Sequence, residues 1–236
     1  MDDCVIRVTG LKKSFPKGKE VLHVLKGIDM EIRSGEVIGY LGSNGAGKST
    51  LIKLLDGEEI PDQGRVLVND VDVGKLRHSK VPFYRRSIGV VFQDFRLLPH
   101  LTIFENISFA LEVIGMDRQQ IRQRVREVLE LVSLSEKAKA FPNQLSGGQQ
   151  QRATIGRAIA NHPKVLIADE PTGNLDPEMS KEVIELLEKI NEKEKTTVLM
   201  VTHDKNLVDA FKKRTISLEE GYIVADMMKG GYLTYD

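Results

Sequence analysis

Cysteine is almost missing from this sequence: Cys4 stands alone among 236 residues. One thiol forms no internal disulfide and lies far from any other ligand cluster, which excludes a disulfide framework and a cysteine-based metal site. A reducing compartment suits such a chain. Net charge is missing as well, because 34 Lys plus Arg balance 34 Asp plus Glu. That argues against a broad basic surface for nucleic acid and leaves only local patches. Long apolar runs are absent, none approaching the about 18 residues that span a bilayer. Work at a membrane would therefore need another chain to do the spanning. The acidic start, Met1-Asp2-Asp3-Cys4, is not that of a signal peptide. No repeat, low-complexity tract or Pro/Gly/Ser linker interrupts the chain. What is present, 41% hydrophobic and 29% charged residues, is the balance of a globular protein with a large core.

Strand signals open the chain, around Val5 to Val8 and Ile28 to Ile32. Glu36 to Leu41 is an apolar run that enters a glycine-rich loop, and Thr50 to Leu55 reads as helix. From about Gln93 to Gln144 helical periodicity takes over: Ile121, Val125, Val128, Leu129 and Val132 share one face, with Arg122, Arg124, Arg126, Glu127 and Glu130 elsewhere. Strands return at Val165–Ala168 and Thr197–Val201, with a helix over Val183–Ile190 between them. Apolar strands separated by helices imply a parallel sheet covered on both faces. Thr215 to Val224, turning at Glu219-Glu220-Gly221, reads as a hairpin. The basic stretches Arg118–Arg126 and Lys212-Lys213-Arg214 read as solvated faces, with a lipid headgroup or partner contact as the alternative.

The glycine-rich loop is Gly42-Ser43-Asn44-Gly45-Ala46-Gly47-Lys48-Ser49, with Thr50 following, and it fits the P-loop pattern G-x-x-x-x-G-K-[ST]. Glycines let backbone N–H groups converge on phosphate oxygens. The helix that follows presents about half a positive charge to the same phosphates. Lys48 is placed to reach the β- and γ-phosphates, and the Ser49 hydroxyl to meet Mg²⁺. Val165 to Asp169 reads as the strand that delivers a metal-binding carboxylate, Asp169. Glu170 is placed to orient or deprotonate an attacking water. His203 ends the next apolar strand, at the carboxyl edge where parallel sheets bind ligands.

Leu145-Ser146-Gly147-Gly148-Gln149 stands shortly before that carboxylate strand. Alone it is an ordinary Ser-Gly-Gly turn. Beside the other elements it resembles the signature motif of the ATP-binding cassette (ABC) ATPases, and the resemblance covers essentially the whole chain. It implies an α/β fold: a P-loop NTPase core of ABC type with an antiparallel β subdomain and an inserted α-helical subdomain. One domain over 1–236 is expected, with a RecA-like core at about 1–92 and 151–236 and the helical subdomain at about 93–150. It further implies that Ser146, Gly147, Gly148 and Gln149 serve the nucleotide of an opposite subunit. Phe15 holds the place of an adenine-stacking aromatic, where many relatives carry Tyr. Gln93 resembles the glutamine that touches metal or water and senses a transmembrane partner. Asn174-Leu175-Asp176 resembles the loop that crosses the dimer interface, and His203 the histidine that reports the γ-phosphate.

Within that family, Gln93 to Leu98, Phe104-Glu105-Asn106 and Ala110 to Gly115 resemble the FtsE cell-division branch. Ser43-Asn44 departs from the Pro-Ser common there. Leu166 to Pro177 is shared with lipoprotein-release and macrolide-export ATPases, the alternative branch. The FtsE resemblance implies ATP and Mg²⁺, an ATP-dependent homodimer, an integral membrane partner of FtsX type, an indirect link to peptidoglycan hydrolases and no nucleic acid. The implied location is the cytoplasmic membrane face at the division site. Partner docking is expected between Gln93 and Gly115, where Phe95, Leu97, Leu98, Ile103 and Phe104 supply apolar side chains, with packing of the helical subdomain as the alternative for each.

Overall fold

The computed structural model describes residues 3–204, 207–208 and 212–228. In chain order the elements are β1 (Cys4–Lys17), β2 (Glu20–Arg33), β3 (Val37–Gly42), α1 (Lys48–Leu55), β4 (Gln63–Val68), β5 (Val71–Asp72), α2 (Val81–Arg85) and β6 (Ile88–Val91). They continue with α3 (Ile103–Val113), α4 (Arg118–Leu131), α5 (Gly147–Ile159), β7 (Val165–Asp169), α6 (Pro177–Glu194), β8 (Thr197–Thr202), β9 (Arg214–Glu219) and β10 (Tyr222–Met227). The expected α/β class, with both antiparallel and parallel pairing, is what the chain adopts. The chain divides into two compact units, one formed by 1–85 with 197–236 and the other by 86–196.

The first unit holds two sets of strands. β2, β1, β4 and β5 lie side by side, all antiparallel. Alternation decides their faces: Ile6 and Val8 are buried, and so are Ile28, Met30 and Ile32. β3 runs parallel to both β8 and β9, and β10 closes the hairpin with β9. All six residues of β3 and all six of β8 are buried, as expected of strands covered on both faces.

The second unit is mostly helical around the parallel pair β6 and β7. Side chains define where its helices start. Thr102 caps α3 in a reciprocal capping box with Glu105, Asp117 caps α4, Ser146 caps α5 through a box with Gln149, and Asp176 caps α6 ahead of Pro177. The apolar stripe expected on α4 is buried throughout: Ile121, Val125, Val128 and Leu129, with Val132 just beyond. Arg124 departs from the expectation. It is only 7% exposed, because its guanidinium donates to the carbonyls of Ile159 and Ala160 at the end of α5 and to Glu194. Among the described residues no helix is long and apolar enough to cross a membrane.

Candidate functional site

β3 delivers the chain to Gly42, and the loop Ser43–Gly47 turns it into α1. Two glycines are sterically required. A Cβ on Gly42 would lie 2.7 Å from the carbonyl oxygen of Leu218. Gly47 has φ +111°, and a Cβ there would lie 2.7 Å from Leu25 Cδ2. α1 has no side-chain cap and no acidic residue in its first turn, so neither competes with an anion for its N-terminus. Lys48 is 7% exposed, and its ammonium donates to the carbonyls of Gly42 (2.7 Å) and Ser43 (3.2 Å). The cation is thus folded across its own loop. Ala46 is buried, Ser43, Asn44, Gly45 and Ser49 are exposed, and Thr50 is half-buried. An anionic phosphate chain fits this cradle by charge and by the space that the glycines leave.

Phe15 lies near the tip of the β1–β2 hairpin, half-buried opposite Leu22, with the Lys13 ammonium 5.1 Å from its ring centroid. Val21 and Leu22 are 60% and 47% exposed beside it, so the hairpin tip carries an exposed apolar surface. The same unit carries His203, exposed on the bend just beyond β8; Asp204 next to it donates its N–H to Thr202 Oγ1.

The second unit gathers the remaining candidates. Asp169, the last residue of β7, is half-buried. Glu170 follows with φ +46°, a left-handed conformation that costs a non-glycine residue about 1 kcal/mol or more. The chain then turns, Gly173 N–H donating to the Glu170 carbonyl. The Gln93 amide reaches this turn: a Cβ on Gly173 would lie 3.0 Å from Gln93 Nε2, and Asn174 Nδ2 donates to the Gln93 carbonyl at 3.2 Å. Gln93 and the segment Glu170–Asn174 are therefore neighbours.

The Ser146 hydroxyl oxygen accepts the Gln149 N–H at 3.3 Å, and the Gln149 side chain accepts the Ser146 N–H at 3.1 Å. The capping bond fixes that oxygen and leaves its own proton available to an incoming acceptor. A Cβ on Gly147 would lie 3.5 Å from Leu175 Cδ2, and one on Gly148 2.9 Å from Met179 Sδ. The start of α5 thus packs on the segment around Asp176. The Asp176 carboxylate accepts the Met179 N–H at 2.9 Å, so it holds the first turn of α6.

Three contributors escaped the sequence reading of the site. Asn106, fully buried on α3, binds both backbone groups of Leu98. Thr154 and Arg157, on α5, bond to the carbonyls of Phe95 and Arg96. An Asn in an apolar stretch was a readable signal at 106; nothing local marked 154 or 157. Ile103, expected among the docking side chains, is fully buried, whereas Phe95, Leu97, Leu98 and Phe104 are half-buried. The more exposed apolar side chains on α3 are Phe109 (46%) and Val113 (52%).

Comparison with known proteins adds independent findings. Residues 25–173 match the family model described as ABC transporter. The chain is 51% identical to the cell division ATP-binding protein FtsE of Bacillus subtilis over 232 residues, 98% of this chain and 100% of that one. It is 47% identical to FtsE of Streptococcus pneumoniae serotype 2, covering 97% of each. A solved dimer of an ATP-binding cassette in a post-hydrolysis state with ADP and phosphate superimposes with a TM-score of 0.85 at 35% identity, covering 96% of this chain and 100% of that one.

Proposed function

The chain belongs to the ABC transporter family as an ATP-binding, ATP-hydrolysing subunit, and from that premise we propose that it is the ATPase of a cell-division complex of the FtsE type. The observation that carries this reading is the match along nearly the whole length to the Bacillus subtilis FtsE. It is supported by the segment Gln93–Leu98, which the second unit holds through Asn106, Thr154 and Arg157.

The proposed chemistry follows from the side chains. Lys48 and the amides that open α1 hold the phosphates, with Gly42 to Ser49 and Thr50 as the cradle and Phe15 stacking on adenine. Glu170 orients a water and takes its proton as the water oxygen attacks the γ-phosphorus; the bond from that phosphorus to the bridging oxygen breaks, leaving ADP and phosphate. His203 contacts the γ-phosphate. Ser49, Asp169 and Gln93 offer oxygen donors of the kind that suit Mg²⁺, which when bound would offset the phosphate charge. Ser146, Gly147, Gly148 and Gln149 bind the nucleotide of a second copy, with Asp176 beside that interface, so ATP closes a homodimer and hydrolysis opens it. An integral membrane partner of FtsX type docks on the face between Gln93 and Gly115. It feels closure as movement and relays it toward peptidoglycan hydrolases, with this chain peripheral on the cytoplasmic membrane face.

Separate binding and turnover measurements test the roles. Lys48→Ala should lose ATP affinity by more than about 10-fold, since it removes the charge facing the phosphates. Glu170→Gln should keep affinity and lose nearly all hydrolysis. Equal loss of both functions in both variants would refute the assignment. Affinity purification from native membranes should recover one membrane protein, and depletion should give chained or filamentous cells rather than a transport defect.

A further inference from the structure

We propose that Arg157 and Thr154 form a latch that fastens the Gln93 loop to α5, so that Gln93 and Ser146 move as one body. The inference rests on the ATPase reading above and adds positioning residues to it.

Phe95 and Arg96 are consecutive non-glycine residues with φ +55° and +51°. Each left-handed residue costs about 1 kcal/mol or more, so the surroundings must impose the conformation. A local turn supplies part of the hold, the Arg96 N–H donating to the Asp94 carbonyl at 2.6 Å, and α5 supplies the rest. The Phe95 carbonyl accepts from the Arg157 guanidinium at 3.2 Å and shares the single Thr154 hydroxyl proton with the Gln150 carbonyl, each 3.0 Å from Oγ1. The Arg96 carbonyl accepts from the other arm of Arg157 at 2.6 Å. Arg157 has no carboxylate within ion-pair distance among the described residues, and a second cation, Arg96, stands nearby. Burial first, then that neighbour, weakens its hold on its proton. A guanidinium kept there against both costs is a fork matched to two carbonyls, which lysine cannot reproduce. The Arg96 side chain is itself tied back, 3.7 Å from the Phe92 ring centroid and 3.0 Å from Asp94.

The latch lies two residues from Gln93 and on the helix that Ser146 caps. From Ser146 to Arg157 the helix rises about 16 Å, a rigid rod with the signature motif at one end and the latch near the other. A displacement of the Gln93 loop is then carried to Ser146 without passing through the first unit.

The test is steady-state ATPase kinetics of the purified full chain carrying Arg157→Met, Arg157→Lys, Gln93→Ala, and Arg157→Met with Gln93→Ala. Arg157→Met should lower kcat by about 10-fold, the scale of one charged hydrogen bond, and leave KM for ATP within about twofold. Arg157→Lys should not restore kcat. The double variant should be no slower than Gln93→Ala alone, because both changes act through one loop. Hydrogen exchange of the amides at 93–98 should quicken in Arg157→Met while that of α4 is unchanged. Multiplying effects in the double variant, an unaltered kcat, or no effect of Gln93→Ala would overturn the latch. If Arg157→Met does not fold, Thr154→Val, which removes one bond to the same carbonyl, takes its place with the same criteria. Absence of ATP hydrolysis by the unaltered chain would sink the ATPase reading itself; hydrolysis there that is lost in Glu170→Gln, with additive behaviour here, would sink only the latch.

Discussion

At position 124 a charged side chain is buried in a cluster that closes the ends of two helices. Arg124 donates to two carbonyls at the end of α5 and to both oxygens of Glu194 near the end of α6, while His162 Nδ1 lies 2.5 Å from Glu194. Burial works to raise the pKa of Glu194, but the hydrogen bonds and charge of Arg124, with those of His162, outweigh it and hold the carboxyl below its ordinary value. The unfolded chain therefore takes up this proton first as pH falls. The stabilisation is complete above the ordinary carboxylate value and is lost as pH drops through it toward the folded value. Arg124→Met should cost about 3 kcal/mol at neutral pH, because it leaves Glu194 without its main partner. The gap in melting temperature between variant and parent should narrow below about pH 4. A gap that stays constant into acid would show that the carbonyl bonds, and not the ion pair, carry the effect.

At the scale of elements, α3 owes its start to Thr102 and Glu105 and holds the preceding segment through Asn106. The Glu105 carboxyl sits below its usual range because it accepts from the Thr102 hydroxyl and N–H, a direct reading of the capping box. Asn106 accepts the Leu98 N–H at 2.7 Å and donates to the carbonyls of Leu98, Leu101 and Thr102. A helix side chain thereby replaces the backbone partners that an irregular segment lacks. Asn106→Leu has nearly the right volume and none of the bonds. It should cost about 1–3 kcal/mol, since the Leu98 N–H and the Leu101 carbonyl lose the partner that Asn106 gives them. Calorimetry should show the loss, and amides at 98–101 should exchange faster than those of the α4 stripe. Unchanged exchange at 98–101 would mean that other contacts shape the segment.

For the whole molecule, the decisive behaviour is assembly. Ser146 keeps its hydroxyl proton free of the capping bond, and α1 presents an uncapped N-terminus on each copy. A γ-phosphate that meets Lys48 of one copy and Ser146 of another would join them. Sedimentation at micromolar protein should then show a dimer with Mg-ATP in Glu170→Gln, where the γ-phosphate survives, and none in Glu170→Gln combined with Ser146→Arg. A Glu170→Gln protein that stays monomeric at saturating ATP would contradict the shared-nucleotide model.

Much of this was legible in the sequence because it depends on local rules. The P-loop pattern needs only its spacing, the strands β3, β7 and β8 are continuous apolar runs, and the α4 stripe repeats at helical period. The capping residues Thr102 and Ser146 stand three before Glu105 and Gln149, a spacing that itself marks a helix start. Tertiary structure decided what depends on residues distant in the chain. Arg124 reads as a surface charge until Ile159, Ala160 and Glu194 surround it. Ile103 reads equally as a docking or a packing side chain until α3 turns it inward, leaving Phe109 and Val113 outside. The left-handed pair Phe95 and Arg96 has a local turn bond, from the Arg96 N–H to the Asp94 carbonyl, but donors about 60 residues further along the chain fasten its carbonyls. Periodicity reports which face a residue occupies, whereas the partner on that face is set only when the chain folds back on itself.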